Sequence, residues 1–264
     1  MIYRLEGVTK IYPTQAGPVR SLMGVTFDVA PSERLAILGA SGAGKTSLFR
    51  LLNGTLRPSA GRLRFDGRDV SDMAGAELRR MRRRIGTIFQ KPCLVPSLSA
   101  FEHALSGRLG HWSAFQTLRS LVAPSREDRA RATSALEAVG LANKRDARAD
   151  ELSGGQQQRL SIARVLAQEP DVILADEPFA SLDPSLTESI AQLLLGLAEQ
   201  GRRTLVTTLH DVELALRFFP RIIGLKDGGV AFDLPASRVD RAVLDALYAN
   251  GEAAPAPDSG ALAS

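Results

Sequence analysis

Three short runs of residues carry side chains whose types and spacing could act on a phosphorylated substrate. The first, Gly39-Ala40-Ser41-Gly42-Ala43-Gly44-Lys45-Thr46, fits the pattern GxxxxGK[ST] and follows the apolar run Arg34–Gly39 directly. Its glycines let backbone N–H groups converge on phosphate oxygens, while the start of the following helix adds positive potential. Lys45 then reaches the outer phosphates, the Thr46 hydroxyl can hold Mg2+, and Ser47 continues the loop into the helix. The second run, Val172–Glu177, ends an apolar strand in two carboxylates. Asp176 can meet the metal ion and Glu177, one residue further, can polarise an attacking water. The third, Leu152-Ser153-Gly154-Gly155-Gln156, opens a helix. Ser153 with Gln156 fits a capping box, and two glycines in a first turn expose N–H groups for an anion.

Elements able to position these groups are legible on either side. Short β-like runs at Ile2–Leu5, Val25–Val29, Leu35–Leu38 and Leu63–Phe65 suggest a small sheet leading into a larger one, with a turn at Asp66-Gly67. Leu35–Leu38 is apolar without alternation, as expected of a central strand covered on both faces. The phosphate loop runs into a predicted helix, Thr46–Asn53, closed by Gly54. From about residue 96 to 168 the pattern is helical, with stretches Arg126–Val139 and Gly154–Gln168. Apolar runs Val172–Ala175 and Thr204–Leu209 flank a helical stretch, 184–200, and Ile222–Phe232 folds as a hairpin at Asp227-Gly228-Gly229. Parallel strands with crossover helices follow from that order. Gly251–Ser264, rich in Ala, Pro, Gly and Ser, reads as a disordered tail.

Composition limits the remaining classes. The 264 residues are 44% hydrophobic, enough for one sizeable core, and the net charge of +4 from 33 basic and 29 acidic residues argues against a strongly basic nucleic-acid surface. No run approaches the roughly 18 apolar residues of a membrane-spanning helix, and the N-terminus is unlike a signal peptide. Cys93 is the single cysteine, so an internal disulfide or cysteine metal cluster is excluded, and a packing role is expected for it. The cluster Arg79–Arg84 reads as a solvated helix face that weakly favours membrane proximity. His103 and His111 lack a chemical context and read as structural.

Taken together, the phosphate loop, the sequence LSGGQ at Leu152–Gln156 and the acidic pair resemble the ATP-binding-cassette family over about residues 1–235. The resemblance implies an α/β P-loop fold of RecA-like type: a mostly parallel sheet core with an N-terminal antiparallel β subdomain and an inserted helical subdomain at about 96–168. Residues 236–264 would form a C-terminal helix and tail. It also implies Tyr12 as the aromatic stacking on adenine, Gln90 as the residue linking Mg2+ and lytic water to the helical block, Ser181-Leu182-Asp183 as the D-loop and His210 as the switch histidine. ATP and Mg2+ are the expected ligands. The expected partners are a second copy of the chain paired head to tail, separate transmembrane permease subunits and, indirectly, a periplasmic solute-binding protein, with no nucleic acid and with the chain on the cytoplasmic face of the membrane. DNA-repair or chromosome-organising ATPases of the superfamily carry a long coiled coil or zinc-binding cysteines, and translation-associated ones carry two cassettes; neither feature is present. Leu105–Gly110 followed by Trp112, Ala175–Pro184 and Arg221–Lys226 are similar to the ATPases of phosphonate importers, whereas Phe179 and Thr207-Thr208 depart from that pattern.

Overall fold

The computed structural model describes residues 1–15, 17–113, 116–117, 119, 123–180 and 182–249. Ser181 and the tail expected at Gly251–Ser264 therefore lie outside the described residues. The chain divides into two compact units, Met1–Ser71 with Val206–Ser264, and Asp72–Leu205.

In the first unit, β1 (Tyr3–Tyr12) and β2 (Val19–Val29) pair antiparallel, and β1 also pairs antiparallel with β4 (Ala60–Phe65), which turns at Asp66-Gly67 into β5 (Arg68–Asp69). Both long strands exceed the short runs expected from sequence. The register shifts between Leu5 and Val8 and again between Val8 and Lys10, beside Gly7 and Gly24, which have φ +61° and +64°. Such bulges break the alternation of apolar residues without ending the ladder, so each strand reads as a fragment in the sequence. Tyr3 fastens this sheet to the interior: its ring packs 5.2 Å from that of Phe65 and its hydroxyl donates to the Leu52 carbonyl at 2.9 Å.

β3 (Arg34–Leu38) has four of its five residues buried and pairs in parallel with β9 (Arg221–Lys226), which folds back antiparallel as β10 (Gly229–Pro235). On its other side β3 neighbours β8 (Thr204–Leu209), so it is an interior strand as its unalternated apolar run predicts. The phosphate loop leads from β3 into α1 (Lys45–Leu52), while α7 (Val212–Phe218) follows β8 and α8 (Arg241–Tyr248) lies near the C-terminus.

The second unit holds the parallel pair β6 (Ile85–Ile88) and β7 (Val172–Asp176) and most of the helices. α2 (Gly75–Arg83) buries Met81 and exposes Arg79, Arg80, Arg82 and Arg83, so the arginine cluster is the solvated face anticipated for it. α3 (Ala100–Ser106), α4 (Arg126–Ala138) and α5 (Gly154–Ala167) pack on one another, and α6 (Pro184–Gln200) follows β7. A buried ion pair ties the helical block together. Arg108 donates to Asp128 at 3.0 Å, and Asp128 also accepts from Trp112 and Ser125. Burial alone would raise the Asp128 carboxyl, but the hydrogen bonds from Ser125, Arg108 and Trp112 outweigh it and hold the group below the usual carboxylate range.

His103 and His111 are structural as expected, each donating through Nε2 to a backbone carbonyl, Val95 and Gln168, at 3.0 Å. Cys93 corrects the sequence reading. It is exposed rather than packed, because it lies in the turn-rich segment between β6 and α3, where its side chain has no apolar layer to enter.

Candidate functional site

The predicted site residues fall into two groups, one within each unit. In the first, β3 ends at Leu38 and the chain curls through Gly39–Gly44 before Lys45 opens α1. The curl needs glycine at Gly44, where φ is +102° and a Cβ would stand 2.5 Å from the Ser21 carbonyl oxygen and 2.8 Å from Leu22 Cδ2. Ser41, Gly42 and Thr46 are exposed, so the outer lip of the loop and the Thr46 hydroxyl face solvent. Ala40 is half-buried and Ala43 and Gly44 are buried at the base.

Lys45 is 5% exposed, and its ammonium donates to the carbonyls of Gly39 at 2.7 Å and Ala40 at 3.2 Å, with His210 Nδ1 at 3.5 Å. Phosphate oxygens can replace those carbonyls as stronger, charge-assisted acceptors. His210, the residue after β8, thus stands beside the phosphate loop.

Tyr12, the last residue of β1, is tied to the same helix start. Its hydroxyl lies 3.1 Å from Ser47 Oγ, which is 2.7 Å from Ser21 Oγ, and the Lys10 ammonium sits 5.3 Å from its ring centroid. Ser47 is buried with its hydroxyl engaged in this chain, which leaves its backbone N–H as its means of meeting a phosphate. Ser21 had no signal in the sequence, since a lone serine in a strand carries no motif.

In the second unit, Ser153 caps α5. Its hydroxyl accepts from the Gln156 amide at 3.4 Å, and the Gln156 side chain accepts from the Ser153 amide at 3.0 Å. The two glycines that follow differ in surroundings. Nothing lies within 4 Å of a Cβ built at Gly154, whereas one at Gly155 would stand 2.9 Å from Leu186 Cδ1 and closer still to Cδ2. Gly155 therefore allows close packing of α5 against Leu186 at the start of α6, beyond any role of its N–H.

β7 delivers Asp176 as its last residue, and Glu177 follows with φ +46°, a left-handed conformation rare for a residue with a side chain. Both carboxylates are half-buried. The peptide after Glu177 is clasped from α5, the helix that opens with the Leu152–Gln156 run, where Gln158 Nε2 donates to the Pro178 carbonyl at 2.8 Å in a buried bond. Gln158 was not singled out by the sequence reasoning. A signal existed, because with Ser161, Ile162 and Val165 it completes an i, i+3, i+4, i+7 stripe in which a polar residue must find a partner.

Asp183 caps α6, accepting from the Leu186 amide at 2.9 Å and the Ser185 hydroxyl at 2.8 Å, and these bonds hold its carboxyl below the usual range. Gln90 lies two residues beyond β6 and is exposed. The segment it opens is fastened by Arg164 of α5, which donates to the Cys93 carbonyl at 2.8 Å, and by the His103 bond to Val95. Signature helix, acidic turn and Gln90 segment are thus linked inside one unit through α5.

Known proteins match this arrangement. A phosphonates import ATP-binding protein of Pseudomonas aeruginosa is 47% identical over 250 residues, covering 95% of this chain and 92% of that protein. One from Haloarcula marismortui is 42% identical, covering 88% and 85%. Among solved structures, a dimeric ATP-binding cassette in a post-hydrolysis state with ADP and Pi is 34% identical with a TM-score of 0.77, covering 89% of this chain and 98% of that one. The cassette cbiO1 of Clostridium perfringens, part of an ABC transporter complex, is 28% identical with a TM-score of 0.78, covering 94% and 95%. The family model described as ABC transporter matches residues 22–180, a span running from β2 through the phosphate loop and the signature helix to the acidic turn, and with these relatives it establishes that the chain belongs to the ABC transporter family.

Proposed function

We propose that this chain is the ATP-hydrolysing subunit of a bacterial importer for phosphonates or related phosphorus oxyanions. It works as a head-to-tail dimer on the cytoplasmic face of the cell membrane, beside separate permease subunits that are loaded by a periplasmic solute-binding protein. The observation that carries the reading is the 47% identity over 95% of the chain to a phosphonates import ATP-binding protein, with the phosphate-loop lysine held at the head of α1. Among the described residues no helix is long and apolar enough to cross a membrane, so the pore is assigned to other chains. Residues 1–235 form the nucleotide-binding domain, with 96–168 as its helical subdomain.

Each residue then has a stated task. Tyr12 offers an aromatic face to adenine, and the N–H groups of Gly39–Ser47 with the Lys45 ammonium receive the phosphates. Glu177 takes the proton of the attacking water, His210 contacts the γ-phosphate, and Gln90 orients the water. Ser153, Gly154, Gly155 and Gln156, with Asp183, close over the nucleotide of the partner chain.

The residues expected to offer Mg2+ hard oxygen donors are Thr46 in the first unit, through its hydroxyl, and Asp176 and Gln90 in the second, through a carboxylate and an amide oxygen. Among the described residues there is no group of three or more His, Cys, Asp or Glu side chains able to hold a metal by themselves. That fits Mg2+, which is held through one or two protein groups and completes its shell with phosphate oxygens and waters. When bound, it neutralises charge on the β- and γ-phosphates.

The test is reconstitution with the permease and binding protein encoded beside this chain. ATP hydrolysis by the complex should rise when the binding protein is loaded with a phosphonate, while the isolated chain stays indifferent to cargo. Stimulation by an amino acid, sugar or metal instead, with none by phosphonate, would overturn the cargo assignment.

A further inference from the structure

We infer that Gln158 is a positioning residue for Glu177, holding the turn that carries this carboxylate in its working conformation. The inference rests on the reading of Glu177 as the group that acts on water. Glu177 sits at φ +46°, which a side-chain-bearing residue keeps only where its surroundings over-determine it. A buried bond from Gln158 Nε2 to the carbonyl of Pro178, the residue immediately following, restrains the turn at 2.8 Å. Two backbone bonds, Ala180 N–H to the Glu177 carbonyl at 3.2 Å and Leu182 N–H to that of Phe179 at 3.1 Å, close the turn, and the Gln158 bond ties it to α5.

Gln158 is itself well held. Its side chain is 2% exposed, its own carbonyl accepts from Ser161 Oγ at 2.7 Å, and the next residue, Arg159, donates to Ser189 of α6 at 2.8 Å. One turn earlier Gly155 fits against Leu186. A helix anchored at these points is a fixed reference for the Pro178 peptide. Because the same helix opens with Ser153–Gln156, the Gln158 amide ties the turn that carries the acid to the helix that carries this run.

The experiment compares Gln158→Glu, which keeps the shape but turns an acceptor toward the Pro178 carbonyl, with Gln158→Met, which removes the donor. Each is made in the wild-type chain and in a Glu177→Gln chain. Hydrolysis rate, KM for ATP, ATP affinity and thermal midpoint are measured. In the wild-type background kcat should fall about tenfold or more, equivalent to about 1.4 kcal/mol of barrier, with ATP affinity within about twofold. In the Glu177→Gln background neither substitution should lower the residual rate further, since the group being positioned is already gone. Should these variants fail to fold, Gln158→Asn, whose amide is one methylene too short for the bond, must give the same pattern. Unchanged kcat, a loss confined to ATP affinity, or an equal fold-drop in both backgrounds overturns the inference. Wild-type hydrolysis by Glu177→Gln alone would sink the reading of Glu177 and this inference with it, whereas its loss beside unchanged Gln158 variants sinks the inference only.

Discussion

Gly154→Ala and Gly155→Ala, one residue apart in the signature, should part company in stability. Both gain helix propensity, worth up to about 1 kcal/mol per glycine replaced and nearly the same at neighbouring positions, so that contribution cancels in the comparison. What does not cancel is space. A methyl at Gly154 meets nothing within 4 Å, while one at Gly155 is driven into the Leu186 side chain, 2.9 Å from Cδ1. Overpacking of this kind costs about 1–3 kcal/mol, and half-buried Leu186 can rotate partly out of the way, so the lower part of that range applies. For a chain of this size about 1 kcal/mol moves the thermal midpoint by roughly 2–4 °C, so Gly155→Ala should melt at least about 2 °C below Gly154→Ala. The assay is thermal unfolding of both variants, repeated with Leu186→Ala, which removes the obstructing atoms and should be better tolerated beside Gly155→Ala than alone. Equal midpoints, or the reverse order, would refute the packing argument and leave the N–H groups as the sole reason for both glycines.

Gly44→Ala should weaken ATP binding by at least about tenfold, because the new methyl meets the Ser21 carbonyl in a conformation that disfavours side chains; unchanged affinity by calorimetry counts against the loop geometry. Thr207 is fully buried in β8 with a hydroxyl that has no hydrogen-bond partner among the described residues, so Thr207→Val should raise stability by about 1 kcal/mol in urea unfolding. Asp128→Ala should destabilise by about 1–3 kcal/mol, because buried Arg108 loses its best-buried partner and keeps only half-exposed Glu169 and the Ala167 carbonyl. The depressed Asp128 carboxyl also contributes stability that is present above its unfolded value and lost as pH falls through the lower folded one. The wild-type chain should therefore lose more stability than Asp128→Ala on acidification below the usual carboxylate range, and parallel pH profiles would contradict this.

Much of the site was legible because its chemistry is compressed into contiguous runs. Gly39–Thr46, Leu152–Gln156 and Asp176-Glu177 each carry spacing and local context together, and β8 and α6 begin and end where the apolar period and the Pro184 start predict. The antiparallel strands were read short because Gly7 and Gly24 shift the register within them. What could not be read was whatever depends on contacts distant in sequence. The Leu186 side chain against Gly155, the Ser21–Ser47–Tyr12 hydroxyl chain and the Gln158 clasp on Pro178 join residues 15 or more positions apart, and no local pattern encodes them. Cys93 failed for a related reason, since burial was inferred from residue type and its turn offers none.

One pair of measurements on Glu177→Gln tests whether the chain hydrolyses ATP with Glu177 acting on water. Its ATP affinity should match that of the wild-type chain, while its hydrolysis rate should fall by on the order of a hundredfold or more. Hydrolysis at the wild-type rate with ATP bound would contradict the account.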